Sequence, residues 1–146
     1  MRKLLYFVAV IMVTLAFAGC KDGDENAFSG ELEGKWKVIS VSGYEIYGST
    51  RTETVTTNIE DKSNYWVFSA DGNFEMFYVK EDEQKKTECA GKWKRNDAKL
   101  DMKVNNAGDV KVEGTIMQLT ASKLVFEMKQ SYGEVRIIQV YNCKRE

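Results

Sequence analysis

The sequence predicts an all-β domain folded as an antiparallel up-and-down barrel of about eight strands. Three observations support this prediction. Apolar residues beyond Gly34 recur with a period of two, as in Leu124, Phe126 and Met128 between charged neighbours. Short turn signals separate these runs, and no segment between them is typical of a crossover helix. Because an open meander of this length would expose two strand edges, closure into a barrel is favoured.

The strands are predicted in chain order from their alternation and from the turns between them. The first begins at Gly34, and the Thr- and Val-rich residues 51–59 form a second, more polar strand. Asp71-Gly72 is the sharpest turn signal and joins residues 66–68 to residues 74–79 in a hairpin. The charged residues 80–86 are predicted to form a solvated hairpin tip. The later alternating runs are 99–104, 110–113, 123–129 and 135–137, with turns at 96–97, 105–109, 120–122 and 132–133.

The N-terminus has the pattern of a bacterial lipoprotein signal peptide, residues 1–19, cleaved before Cys20. A basic start precedes an apolar run over residues 4–17, and two small residues precede the cysteine. The run is shorter than the roughly 20 residues that a membrane-spanning helix needs. We therefore expect the Cys20 thiol to carry lipid, such as palmitate, that holds the protein on the membrane. The alternatives are an uncleaved anchor or an ordinary signal in which Cys20 is incidental.

Residues 20–33 are expected to form a flexible tether between the lipid and a single domain, residues 34–146. The start of this tether, residues 21–26, is polar and acidic. Such a tract either routes a lipoprotein to the cell surface or is a plain solvated linker. We expect the protein in the bacterial cell envelope, anchored by lipid to the outer membrane. The sequence does not specify which face of that membrane carries the anchor.

Composition excludes several classes of function. The formal net charge is −1, and the sequence has no basic stripe of the kind that binds nucleic acid. The chain has no histidine, which removes the usual general base and the commonest metal ligand. Glu88 next to Cys89 would raise the pKa of that thiol rather than activate it. We therefore predict no enzyme activity, no cofactor and no metal site.

Cys89 and Cys143 are the two cysteines that remain after the lipidation site. In an oxidising envelope such a pair is a candidate disulfide. Two buried free thiols are the alternative.

Gly34-Lys35-Trp36 resembles the Gly-X-Trp start of lipocalins, and residues 66–74 and Gly91-Lys92-Trp93 extend this resemblance to the lipocalin-like domains of bacterial lipoproteins. We interpret the two glycine–tryptophan pairs as two similar strand starts. The resemblance implies that Trp36 packs across the closed end of the barrel. It also implies an arginine over that tryptophan, and Arg136 is the candidate.

Aromatic residues spread over four predicted strands are the candidates for ligand binding. Apolar pockets of this kind bind small hydrophobic molecules, although the same side chains could instead fill the core. The favoured hypothesis is a carrier of a small apolar ligand. The alternative is a filled, non-catalytic module that contacts another protein, as yet unknown, at the cell surface. The candidate ligand-binding residues are Trp36, Trp66, Phe68, Phe74, Met76, Tyr78 and Trp93.

Overall fold

A computed structural model describes residues 28–60 and 62–146, which form strands and turns without any helix. The signal segment, Cys20 and the start of the tether lie outside the described residues. The nine strands are β1 Gly34–Tyr47, β2 Thr50–Asn58, β3 Ser63–Phe68, β4 Asn73–Val79, β5 Lys85–Asn96, β6 Lys99–Val104, β7 Lys111–Leu119, β8 Lys123–Tyr132 and β9 Val135–Arg145.

Eight of these strands close into the predicted antiparallel barrel. Neighbours pair in the order β1, β3, β4, β5, β6, β7, β8 and β9, and β9 returns to β1. The additional strand, β2, pairs with residues 40–47 of β1. In β1, β3 pairs only with residues 34–37. A bulge between Val38 and Ser40 accompanies this change of partner. The strand β2, residues 40–47 of β1 and the first half of β9 therefore form a three-stranded segment beyond the point where β1 pairs with β3.

Large apolar side chains fill the inward face of the barrel in the half that contains Trp36, which we call the lower half. Trp36, Trp66, Phe68 and Phe126 are essentially inaccessible to solvent. Because side chains alternate between the two faces of a strand, the period-two pattern places these residues inside and the lysines outside. The barrel of about eight strands therefore has a packed lower core, as expected for this strand number.

Residues 28–33 cover the lower end of the barrel, which is thereby closed. The Gly30 N–H donates to the Leu119 carbonyl at 3.1 Å, and Leu32 is only 1% exposed. The Trp36 indole Nε1 donates to the Leu32 carbonyl at 2.8 Å. Residues 30 and 32 of the predicted tether therefore pack against the barrel, and Leu32 plugs its floor.

Arg145 is the arginine that packs over the closed-end tryptophan, and the expectation for Arg136 was wrong. The guanidinium carbon of Arg145 lies 4.2 Å from the Trp36 ring centroid. Arg136 instead pairs with Ile46, toward the opposite end of the sheet. Gly34 has φ +135°, and a Cβ there would lie 2.5 Å from the Arg145 Nη1. Glycine at the start of the Gly-X-Trp motif therefore leaves room for the arginine.

The second glycine of the sequence pattern has another role than the one predicted. Gly91 lies in the interior of β5 and does not begin a strand. A Cβ at this position would clash with the Lys103 carbonyl oxygen and approach the Phe74 ring to 2.9 Å. Gly91 therefore leaves the space that the Phe74 ring occupies.

The structure does not contain the candidate disulfide. Cys89 and Cys143 are both free thiols. They lie on β5 and β9, which are four strands apart in either direction around the eight-strand ring. The two side chains therefore belong to opposite walls of the barrel.

Candidate functional site

The candidate site is a cavity of about 540 Å³ in the upper half of the lumen, above the packed core. It opens at the end opposite Trp36, where the turn before β3 and the loop between β6 and β7 contribute to its wall. Most of the lining is apolar. These apolar residues are Val41, Ile59, Phe74, Met76, Val104, Ala107, Val110, Val112 and Met128, with the ring of Tyr141.

A cluster of aromatic rings forms the floor of the cavity. The Trp66 ring meets Phe126 and Tyr141 edge-on, each with ring centroids 5.3 Å apart. Phe126 and Tyr141 stack on each other at 5.2 Å. The Trp66 Nε1 is buried without a hydrogen-bond partner among the described residues. Because rings in these arrangements attract one another and leave little space, the lower lumen is solid and the cavity ends at this layer.

Few polar groups interrupt the apolar wall. The Tyr141 hydroxyl donates to the Gln139 Oε1 at 3.1 Å. Burial strongly raises the pKa of Tyr141, so the phenol stays neutral at physiological pH. Asn64 and Gln130 contribute amide groups to the same cavity. The site can thus satisfy one or two polar groups of a ligand while it covers an apolar body.

A bulge in β5 brings two further side chains to the cavity. Met76 pairs with Cys89 and Phe77 pairs with Thr87, so Glu88 is an extra residue on β5. Both Glu88 and Cys89 line the cavity as a result. Burial, with a smaller contribution from the Glu88 carboxylate, raises the pKa of Cys89 to about 11. The thiol is therefore protonated at neutral pH and is a poor nucleophile.

Cys143 is still less reactive than Cys89. Burial raises its pKa to about 12, and its side chain is 1% exposed. It packs in the core cluster. The two thiols of the barrel therefore behave as small apolar groups.

The structure separates the candidate ligand-binding residues into three groups. Phe74 and Met76 line the cavity. Trp36, Trp66 and Phe68 are buried in the core beneath it. Trp93 and Tyr78 do not belong to the cavity lining.

Trp93 and Tyr78 lie away from the cavity for different reasons. The Trp93 Nε1 donates to the carbonyls of Asn73 at 2.9 Å and Ser69 at 3.2 Å, which fixes the indole beside the β3–β4 turn. Tyr78 lies near the open end of β4 and lines a separate surface depression with Lys80. The ammonium of Lys86 lies 5.7 Å from the Tyr78 ring centroid.

Sequence reasoning missed several lining residues, chiefly Val104, Val112, Met128 and Tyr141. The signal for the first three was present, because each falls on the inner face of an alternating run. Alternation gives the face of a strand but gives no position along the barrel axis. The upper, open level of the lumen could therefore not be distinguished from the filled level.

A comparison with family models decides the relationship of this chain to known proteins. The model of the lipocalin-like domain matches residues 32–126, well over half of the chain. This chain belongs to the lipocalin-like domain family. A comparison with curated proteins gave no match.

Proteins with a lipocalin-like domain are in general binding proteins rather than enzymes. The match begins at Leu32, the residue that plugs the closed end, and ends at Phe126 of β8. In the described ranges, no group of cysteine and acidic side chains is arranged to hold a metal ion. Likewise, the part of the chain that the structure describes has no helix long and apolar enough to cross a bilayer.

Proposed function

We propose that this lipocalin-like protein binds a small, largely apolar molecule in the upper lumen. The observation that carries the proposal is the cavity of about 540 Å³ that remains above the packed aromatic floor. Pockets for small ligands are typically about 300–1,000 Å³ and are mostly apolar with a few polar groups. The Met76 and Met128 side chains add a wall that adjusts to the shape of a ligand.

Titration with the neutral fluorescent probe N-phenyl-1-naphthylamine tests this proposal. We expect a saturable rise in probe fluorescence with the wild-type protein. Met128→Trp should weaken probe binding at least tenfold, because the indole occupies the cavity that Met128 lines. Val112→Phe narrows the same cavity and serves as a second variant if Met128→Trp does not fold.

Met117→Trp is the matched control, because Met117 is 53% exposed and lies on the outer surface of β7. This variant should bind the probe like the wild type, and far-ultraviolet circular dichroism should show intact strands in every variant. Absence of probe binding to the folded wild-type protein would contradict the proposal. Equal binding by wild type and both cavity-filling variants would contradict it as well.

We also propose that Cys20 carries lipid and anchors the protein to the outer membrane of a bacterial envelope. The support is the sequence pattern around Cys20, together with the place where the chain enters the barrel. Phe28 bridges to Leu119 at the closed end, so a membrane anchor preceding it is attached to that end. The cavity opening would then face away from the membrane.

Expression in a Gram-negative host tests the anchor directly. Wild-type protein should incorporate alkyne-tagged palmitate and partition into the detergent phase of Triton X-114. Cys20→Ser should lose both properties, and Cys89→Ser should keep both. Wild-type protein that is unlabelled and remains in the aqueous phase would refute the proposed anchor.

One observation favours a second function, a protein-interaction module. Tyr47 and Tyr132 are 63% and 64% exposed, and both pair with Val135 where the two hairpin tips adjoin. Exposed aromatic side chains of this kind are frequent in protein interfaces. A folded protein that binds no probe but loses a crosslinked partner on Tyr47→Ser and Tyr132→Ser substitution would support this function instead.

A further inference from the structure

The cavity lining contains a single charged side chain among its described residues, and that residue is Glu88. The bulge in β5 directs Glu88 to the same side of the strand as Cys89. Strict alternation would have placed it on the outer surface, where most charged residues of the barrel lie. The charge of Glu88 is therefore present at the cavity because of a local irregularity of the strand.

The Glu88 carboxylate has no ion pair or hydrogen bond within residues 28–60 and 62–146. Other acidic residues on the outer wall do have partners, such as Glu75, whose carboxylate accepts from the Lys85 ammonium at 2.6 Å. The negative charge of Glu88 acts on the cavity, since it contributes to the raised pKa values of both Cys89 and Tyr141. An unpaired anion beside an apolar surface attracts a cation and repels another anion.

We propose that this cavity selects ligands with a cationic or hydrogen-bond-donating head group over fatty-acid anions. The inference rests on the proposed ligand-binding function and specifies the chemistry of the ligand. The head group would lie at the Glu88 carboxylate, and the apolar body would lie against Val104, Val112 and Met128. A carboxylate head group would meet a like charge and would find no lysine or arginine among the described residues of the lining.

Lys86 lies two residues before Glu88 on the same strand, and its ammonium lies 5.7 Å from the Tyr78 ring centroid. Tyr78 and Lys86 both lie outside the cavity lining. Lys86→Gln therefore distinguishes attraction by this lysine from repulsion by Glu88.

Displacement of N-phenyl-1-naphthylamine by three ten-carbon amphiphiles of equal chain length tests the inference. The amphiphiles are decylamine, decanol and decanoate, used below their micelle concentrations at pH 7 and low salt. We expect decylamine to bind at least tenfold more tightly than decanoate, with decanol between them. Tenfold corresponds to about 1.4 kcal/mol. Because Glu88 is exposed to solvent, the preference should shrink at 0.5 M salt.

Glu88→Gln should reduce the preference between decylamine and decanoate to less than threefold and leave decanol binding unchanged. Glu81→Gln removes an exposed carboxylate at the β4–β5 tip, outside the cavity, and should keep the full preference. A cavity that binds the neutral probe but prefers decanoate, or keeps its preference in Glu88→Gln, would overturn the inference alone. Absence of probe binding would instead remove the proposed function itself.

Discussion

Replacing Arg145 by alanine should lower the free energy of unfolding by about 3 kcal/mol. The guanidinium donates through Nε to the Ala121 carbonyl and through Nη1 to the Glu33 carbonyl, each at 2.8 Å, and through Nη2 to the Glu31 carbonyl. It also covers the Trp36 ring at 4.2 Å. A single side chain thus joins the plugging segment, the β7–β8 turn and the first strand at the closed end.

The magnitude follows from these contacts. Water can replace the arginine at the three partly exposed carbonyls, so each hydrogen bond contributes about 0.5–1 kcal/mol. The cation–π contact adds about 0.5–1 kcal/mol. For a domain of this size, 1 kcal/mol changes the melting temperature by about 4 °C, so Arg145→Ala should lower it by about 12 °C.

Urea and thermal unfolding followed by tryptophan fluorescence measure this effect. Arg145→Lys keeps a charge over Trp36 but loses the planar fork, so it should recover about half of the lost stability. Arg136→Ala is the matched control on the same strand, and it should change stability by less than about 0.5 kcal/mol. Hydrogen exchange at the Gly30 amide, which bonds to Leu119, should accelerate in Arg145→Ala before global unfolding.

Comparable stabilities of Arg145→Ala and Arg136→Ala would refute this reasoning. The closed end would then be held by apolar packing of Leu32 and Trp36 without a contribution from the arginine. Unchanged exchange at Gly30 in Arg145→Ala would show that the arginine does not hold the plugging segment.

Two further predictions concern the plug and the thiols. Leu32→Ala should lower the free energy of unfolding by about 2–4 kcal/mol in urea titrations, whereas Phe28→Ala, at a 46% exposed position, should cost less than about 1 kcal/mol. Because the pKa of Cys89 is raised from 9.0 to about 11, its alkylation by iodoacetamide at pH 8 should be about 100-fold slower than that of an ordinary thiol and should rise about tenfold per pH unit. Cys143 should react more slowly still, and both should react at ordinary rates in urea; equal native and denatured rates would contradict the burial of these thiols.

The architecture of this protein could be predicted because alternation and turn chemistry agree along the whole barrel. The Asp71-Gly72 turn illustrates this agreement. Gly72 has φ +80°, and the Asp71 Oδ1 accepts from the Asn73 N–H at 3.1 Å. Both properties are specific to these residue types. A chain with short reversals of this kind and one apolar face per strand has little choice but an antiparallel closed sheet.

The complete cavity lining could not be predicted, because part of it depends on a bulge that the two-residue period does not reveal. Glu88 and Cys89 share the lumen only because β5 has one extra residue relative to β4. Met117 is the corresponding extra residue of β7, and it is turned outward although it is apolar. A bulge exchanges inner for outer positions locally, so polarity alone misassigns the residues near it.

The position of the closed-end arginine, by contrast, could have been derived from the sequence by closure alone. In a closed antiparallel barrel the start of the first strand must lie beside the end of the last strand. Arg136 is the second residue of β9 and lies nine residues before Arg145, about 30 Å along an extended strand. By the alternation of the strand, Arg136 also belongs to the outer face of the barrel. Arg145, by contrast, pairs directly with Trp36 and lies on the same inner face as that tryptophan. The same geometry places the beginning of β9 at the opposite, open end, so the two ends of one strand mark the sealed floor and the entrance of the lumen.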